Sequence, residues 1–222
     1  MRSTATRLVP ILLGLSAVMF AAAPYVIDTA PYEATMGLVQ RIFYFHFPAA
    51  MLMLVASVVC GVASALYLWR RRPGADHVAV AAAELAVVLG AIVLVTGPLW
   101  ARKSWNVWWV WEARITSTFV MWMVFNAYVL LRRFGGVGSE VLSAAVGVFG
   151  MALVPFIYWS VNMWRTLHPL TTVVPKLPVD MGRVLLWCVI AFFFWCCALT
   201  ILRVRLEAAR RELDEAYLMV ED

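Results

Sequence analysis

Five tryptophans crowd a stretch of twelve residues: Trp100, Trp105, Trp108, Trp109 and Trp111. An indole offers a broad flat apolar face and a single N–H donor, so a cluster of them makes a wall on which a large planar ligand can stack. Trp105, Trp108, Trp109 and Glu112 stand at i, i+3, i+4 and i+7, the spacing of one helical face. Such a helix would lie along a membrane interface with its aromatic side down or turned toward a ligand. The competing reading is an aromatic belt, although belts scatter their tryptophans over helix ends and seldom gather five.

Histidine supplies the second chemistry, and the chain has three. His46 lies in the run Phe43-Tyr44-Phe45-His46-Phe47-Pro48, where Pro48 favours a helix start and puts His46 at the mouth of an apolar run. His168 precedes Pro169, which pushes it out of helical conformation and into a loop. His77, beside Asp76, reads as a solvated loop residue. A lone histidine near a membrane surface usually serves as a hydrogen-bonding residue. Neutral imidazole is also a common axial ligand of haem iron, and two from separate segments would take opposite faces of one iron. Arg114, Arg102, Lys103, Arg41 and Arg165 are the cations available to haem propionates. Anchoring to lipid headgroups is the alternative for each, and Arg114 with Glu112 is an alternative internal ion pair.

The elements that must carry these residues follow from composition. Of the 222 residues, 64% are hydrophobic and only 14% charged, where a soluble domain carries about 25% charged residues. So much apolar surface needs lipid as its solvent. About 20 apolar residues cross a bilayer, and six runs qualify, at about 8–27, 47–69, 78–98, 115–131, 141–160 and 184–202. The expected fold is all-α and polytopic: a single six-helix membrane domain over 1–222, with an interfacial Trp-rich segment at 99–114 and a tail at 203–222 that reads as a short solvated helix. Ala21-Ala22-Ala23 near the end of the first run resembles a signal-peptide cleavage site, but the run is long for one and Pro24 follows, so an uncleaved span is expected.

Orientation comes from arginine. The net charge is +5, yet the basic residues sit in short clusters between apolar runs and form no stripe, which excludes a nucleic-acid partner. Eleven of the eighteen Lys and Arg residues fall on the side of the termini, including Arg70-Arg71-Arg72 and Arg132-Arg133. Both termini are therefore expected in the cytoplasm, with 28–46, 99–114 and 161–183 on the outer face. Cys60, Cys188, Cys196 and Cys197 all fall in apolar runs and form no C-x-x-C or C-x-x-C-H, which argues against thiol redox chemistry, zinc and covalent haem attachment. No G-x-x-x-x-G-K-[ST] loop is present, so the chain has no P-loop ATPase motif. Inside the spans, Glu84 is expected to pair with a neighbouring helix or stay protonated, and Asn126 to bridge helices.

The run from Gly97-Pro98-Leu99-Trp100 through Trp105, Trp108-Trp109, Trp111-Glu112-Ala113-Arg114 and Thr116-Ser117 resembles the tryptophan-rich WWD signature of haem-handling proteins. The Arg41–Ala49 and Thr166-Leu167-His168 segments fit the same group. With its length and six spans, the whole chain resembles the haem exporter protein C (CcmC) family of the cytochrome c maturation system, and its size separates it from the larger haem lyases. The resemblance implies a non-enzymatic protein that holds non-covalent haem b at the periplasmic surface of the bacterial inner membrane. It implies His46 and His168 as axial ligands, and Trp100, Trp105, Trp108, Trp109, Trp111 and Glu112 as the platform where haem meets a periplasmic haem chaperone. It also implies ABC transporter subunits and a small membrane subunit as partners within the bilayer. The family motif ends Trp-Asp where this chain has Trp111-Glu112, so the carboxylate reaches one methylene further. Two other classes compete: a permease-like structural subunit of a transporter, and a cytochrome b-type quinol oxidoreductase subunit, which would need more histidines, placed at mid-membrane.

Overall fold

The computed structural model describes residues 2–136 and 138–221; residue 222, the last of the expected tail, lies outside the described residues. Six helices run in chain order: α1 (Arg2–Asp28), α2 (Phe43–Arg70), α3 (Pro73–Trp105), α4 (Ala113–Phe134), α5 (Ser139–Met163) and α6 (Val179–Glu221). All six contain a stretch long and apolar enough to cross a membrane. Among the described residues there is no β-strand, only an isolated bridge between Glu33 and Gly37. Leu15, Val18, Val62, Val95, Leu130, Phe149, Leu186 and Phe193 point outward and exposed. In water that surface would be a liability; against lipid tails it costs nothing.

Packing inside the bundle depends on small residues, because lipid gives apolar side chains no reason to leave it and helices must gain by close approach. On α3, Ala79, Ala82, Ala83 and Ala86 are all buried against the core. A Cβ added at Gly61 would stand 2.3 Å from Met151 Cβ, and one at Gly90 2.5 Å from the Trp122 ring. These glycines let α2 meet α5 and α3 meet α4. Tyr44, Tyr128, Phe125, Leu89 and Met121 fill the space between.

The helices exceed the expected spans. At 43 residues, α6 is about 65 Å long, roughly twice the hydrocarbon thickness of about 30 Å. The segment after Arg203 is therefore no separate short helix but the continuation of α6. α3 runs to Trp105, so Trp100, Arg102, Lys103 and Trp105 ride on its last turns. α2 begins at Phe43, five residues before Pro48, so the proline lies inside the helix and does not start it.

The end of the bundle that carries the termini is held by charge. Arg132 of α4 donates to Asp76 of α3 at 2.8 Å and lies 3.5 Å from Glu207 of α6. Glu84 does pair with a neighbouring helix: Arg203 of α6 donates to both its carboxylate oxygens. His77 is buried in α3 beside buried Asp76, not solvated in a loop, because α3 begins at Pro73 and already carries both residues into the bundle. Asn126 donates to the Trp122 carbonyl of its own helix at 2.8 Å, with no hydrogen bond to another helix among the described residues.

Candidate functional site

At the opposite end the helices open into a cavity of about 770 Å³, within the range of about 300–1,000 Å³ usual for small-molecule and cofactor clefts. Its walls come from residues 32–40, the first three turns of α2 to Leu54, the last turns of α3, residues 105–110, the first two turns of α4, Ile157 and Tyr158 of α5, the loop 167–178 and Met181 of α6. No single element makes the site.

His46 enters from the first turn of α2 and is buried. Its Nδ1 lies 2.8 Å from Thr96 Oγ1 on α3. The Thr96 hydroxyl spends its own proton on the Ile92 carbonyl, 2.7 Å away. The threonine oxygen is thus the acceptor, Nδ1 carries the imidazole proton, and Nε2 keeps its lone pair. Gly97 stands beside the ring: a Cβ there would lie 3.4 Å from His46 Cε1. The edge of buried Trp100 contacts the ring at 5.8 Å between centroids.

His168 enters from the loop between α5 and α6. Its Nδ1 lies 3.0 Å from the Pro169 carbonyl. A carbonyl only accepts, so Nδ1 again bears the proton and Nε2 is bare. Burial, with the Arg114 guanidinium nearby, pushes its pKa down to about 3. The imidazole is therefore neutral across the physiological range, the state a metal ligand requires. Both histidines line the one cavity.

The tryptophans divide. Trp100, Trp105, Trp108 and Trp109 line the cavity, and Trp100 stacks on Trp105 at 6.3 Å. Trp100 is locked by its Nε1, which donates to Met36 Sδ at 3.3 Å. Trp111 turns away, 74% exposed, onto a second apolar depression between α3 and α4. The expected helix through Trp105, Trp108, Trp109 and Glu112 does not form. Asn106 adopts the left-handed conformation at φ 60 and ends α3, and residues 106–112 run without helical structure up to α4. Asparagine is among the few residues that take this conformation at a helix end. The indoles meet through the course of the irregular segment, not along a helical face.

The cations divide as well. Arg114, on the first turn of α4, lines the cavity, and so does Lys176 on the far loop, which sequence reasoning missed. Arg41 is paired with Asp28 at 2.7 Å. Arg102 turns back onto Asn106 and over the Trp108 ring. Arg102, Arg41, Lys103 and Arg165 are not among the cavity-lining residues. Glu112 also lies outside the lining; its Oε2 accepts the Leu167 N–H at 3.0 Å. Thr96 was missed too, since nothing in the sequence links a mid-helix threonine to a histidine fifty positions earlier.

The whole chain compares with known proteins in one direction. Residues 1–219 match the family model described as Heme exporter protein C. The Heme exporter protein C of Escherichia coli is 31% identical over 183 residues, covering 79% of this chain and 73% of that protein. That of Bradyrhizobium diazoefficiens is 30% identical over 219 residues, covering 96% of this chain and 83% of that protein. A six-helix chain matched along its length in this way belongs to the haem exporter protein C family.

Proposed function

We propose that the chain binds haem b non-covalently between His46 and His168 and passes it to a periplasmic haem chaperone during c-type cytochrome maturation. The observation that carries this reading is the tautomer pattern: both imidazoles line one cavity, and each commits Nδ1 to a neighbouring oxygen and leaves Nε2 bare. Ligating histidines in proteins are oriented in this way by partners of their other nitrogen. Haem is here the cargo. Its iron would take the two Nε2 atoms, its macrocycle the indole and aliphatic walls, and its two propionates Arg114 and Lys176.

A periplasmic cavity with both termini in the cytoplasm is supported by the positive-inside rule, since the cavity lies at the end away from the arginine clusters. Trp108, which lines the cavity, is 58% exposed, and Trp111, on the second depression, is 74% exposed, which suits them to receive the chaperone. The ABC transporter subunits and the small membrane subunit would pack on the lipid-facing sides of the bundle.

Purified protein should carry six-coordinate, low-spin haem. His46→Ala and His168→Ala should each lower haem content and yield a five-coordinate or water-ligated iron that added imidazole restores. His77→Ala, at the far end, should leave the spectrum as it is. An unaltered low-spin spectrum at normal haem content in either outer variant would sink the paired-histidine reading.

A further inference from the structure

Glu112 raises a question that the cavity does not answer. It is outside the cavity lining, yet its carboxylate is committed. Oε2 accepts the Leu167 N–H at 3.0 Å, across 55 residues of sequence, and Oε1 is buried without a hydrogen-bond partner. A carboxylate oxygen shut away from water without a hydrogen bond costs free energy, so the bond at Oε2 is the one side-chain hydrogen bond that holds the group among the described residues.

Leu167 is the residue immediately before His168. The other hydrogen bonds around His168 are local. The His168 N–H donates to Thr166 Oγ1 at 3.0 Å, and its ring to the Pro169 carbonyl. Asn162 and Thr171 join the base of the loop at 3.1 Å. These bonds shape the loop around His168, and farther along it Val174 and Leu177 pack against the core cluster around Phe43 and Trp100. Glu112 adds the long-range hydrogen bond next to the histidine: a charge-assisted bond from the N-terminal edge of α4 holds the backbone at the residue adjoining the imidazole. The same residue ends the tryptophan segment, directly after Trp111.

We propose that Glu112 is a positioning residue that tethers the His168 loop to the tryptophan segment, so that platform and axial ligand move as one unit. The inference rests on the reading of His168 as a ligand. A tether of this kind also explains why the longer Glu side chain can serve here: what is needed is a carboxylate oxygen at a backbone N–H, and any fixed geometry toward the iron is supplied by the histidine.

The test uses two variants in the full-length protein. Glu112→Met keeps the length of the side chain and removes the acceptor; Glu112→Gln keeps an acceptor oxygen in place. In haem-free protein, amide exchange of the peptide spanning 165–170 should rise in Glu112→Met and stay near wild type in Glu112→Gln. In loaded protein, Glu112→Met should lose haem affinity by about ten- to a hundredfold, as removal of an orienting partner typically does. It should show a high-spin fraction that imidazole abolishes, and it should add little to His168→Ala. Glu112→Gln should retain the low-spin spectrum. Unchanged exchange in Glu112→Met would overturn the tether. Raised exchange with an intact low-spin spectrum would overturn the link to the ligand. If His168→Ala also kept that spectrum, the fault would lie in the ligand assignment and not in the tether.

Discussion

Replacing Thr96 with Val changes one atom of consequence. The side chains are nearly equal in volume, but valine cannot accept the Nδ1 proton of His46, now held 2.8 Å from the threonine oxygen. The empty protein has an escape, since imidazole can move its proton to Nε2. The loaded protein has none, because Nε2 must be bare to bind iron. Ligation therefore forces a buried, unpaired Nδ1–H, which costs about 1–3 kcal/mol. At 1.4 kcal/mol per decade, haem should bind about 5- to 150-fold more weakly. This is an upper range if a water molecule reaches the gap. The assay is an absorbance titration of haem into the purified haem-free protein, with the low-spin bands as the signal. Thr96→Ser, which keeps the hydroxyl, should bind within a fewfold of wild type. An affinity within twofold of wild type for Thr96→Val, with the same spectrum, would refute the tautomer argument and with it the main support for His46 as a ligand.

Three further outcomes are expected. Cysteine placed at exposed Lys103 should react with an impermeant thiol reagent added to whole cells; labelling only after lysis would reverse the orientation. Replacing Trp105, Trp108 and Trp109 together with Leu should leave the protein inserted but impair capture of the chaperone with haem, because leucine keeps apolar area and loses the flat face; full capture would return these residues to the role of a belt. Gly61→Ala puts a Cβ 2.3 Å from that of Met151. Forcing α2 from α5 should cost about 1–3 kcal/mol of stability, seen as a lower melting temperature in detergent, whereas Gly182→Ala, which meets nothing within 4 Å, should melt near wild type.

Much of this protein was legible in order of residues alone. Six apolar runs of about the length that crosses a bilayer as a helix, too long for barrel strands, satisfy their backbone internally as helices, so fold class needed no tertiary information. The tryptophan segment, the two outer histidines and the arginine clusters are likewise local patterns, and the resemblance they carry agrees with the family match along the chain. Periodicity misled where it met a breaker: the i, i+3, i+4, i+7 spacing assumed a helix through Asn106, and the left-handed turn at that residue cancels the shared face. Asparagine's preference for helix ends is the local signal of that break.

What the tertiary structure decided is which of the candidates meet. Arg114 and Lys176 line the cavity while Arg41 is spent on Asp28, although all three are simply outer-face cations in the sequence. Thr96 reaches His46, and Glu112 reaches Leu167, only because α2 packs on α3 and the α5–α6 loop folds back over the start of α4. Hydrophobic periodicity reports which face of a helix avoids water, and in a membrane most faces do. It holds no record of which helices are neighbours, how far each is shifted along its axis, or where a loop comes to rest. Those depend on the sum of close contacts at glycines and alanines, and they bring Thr96 to the Nδ1 of His46.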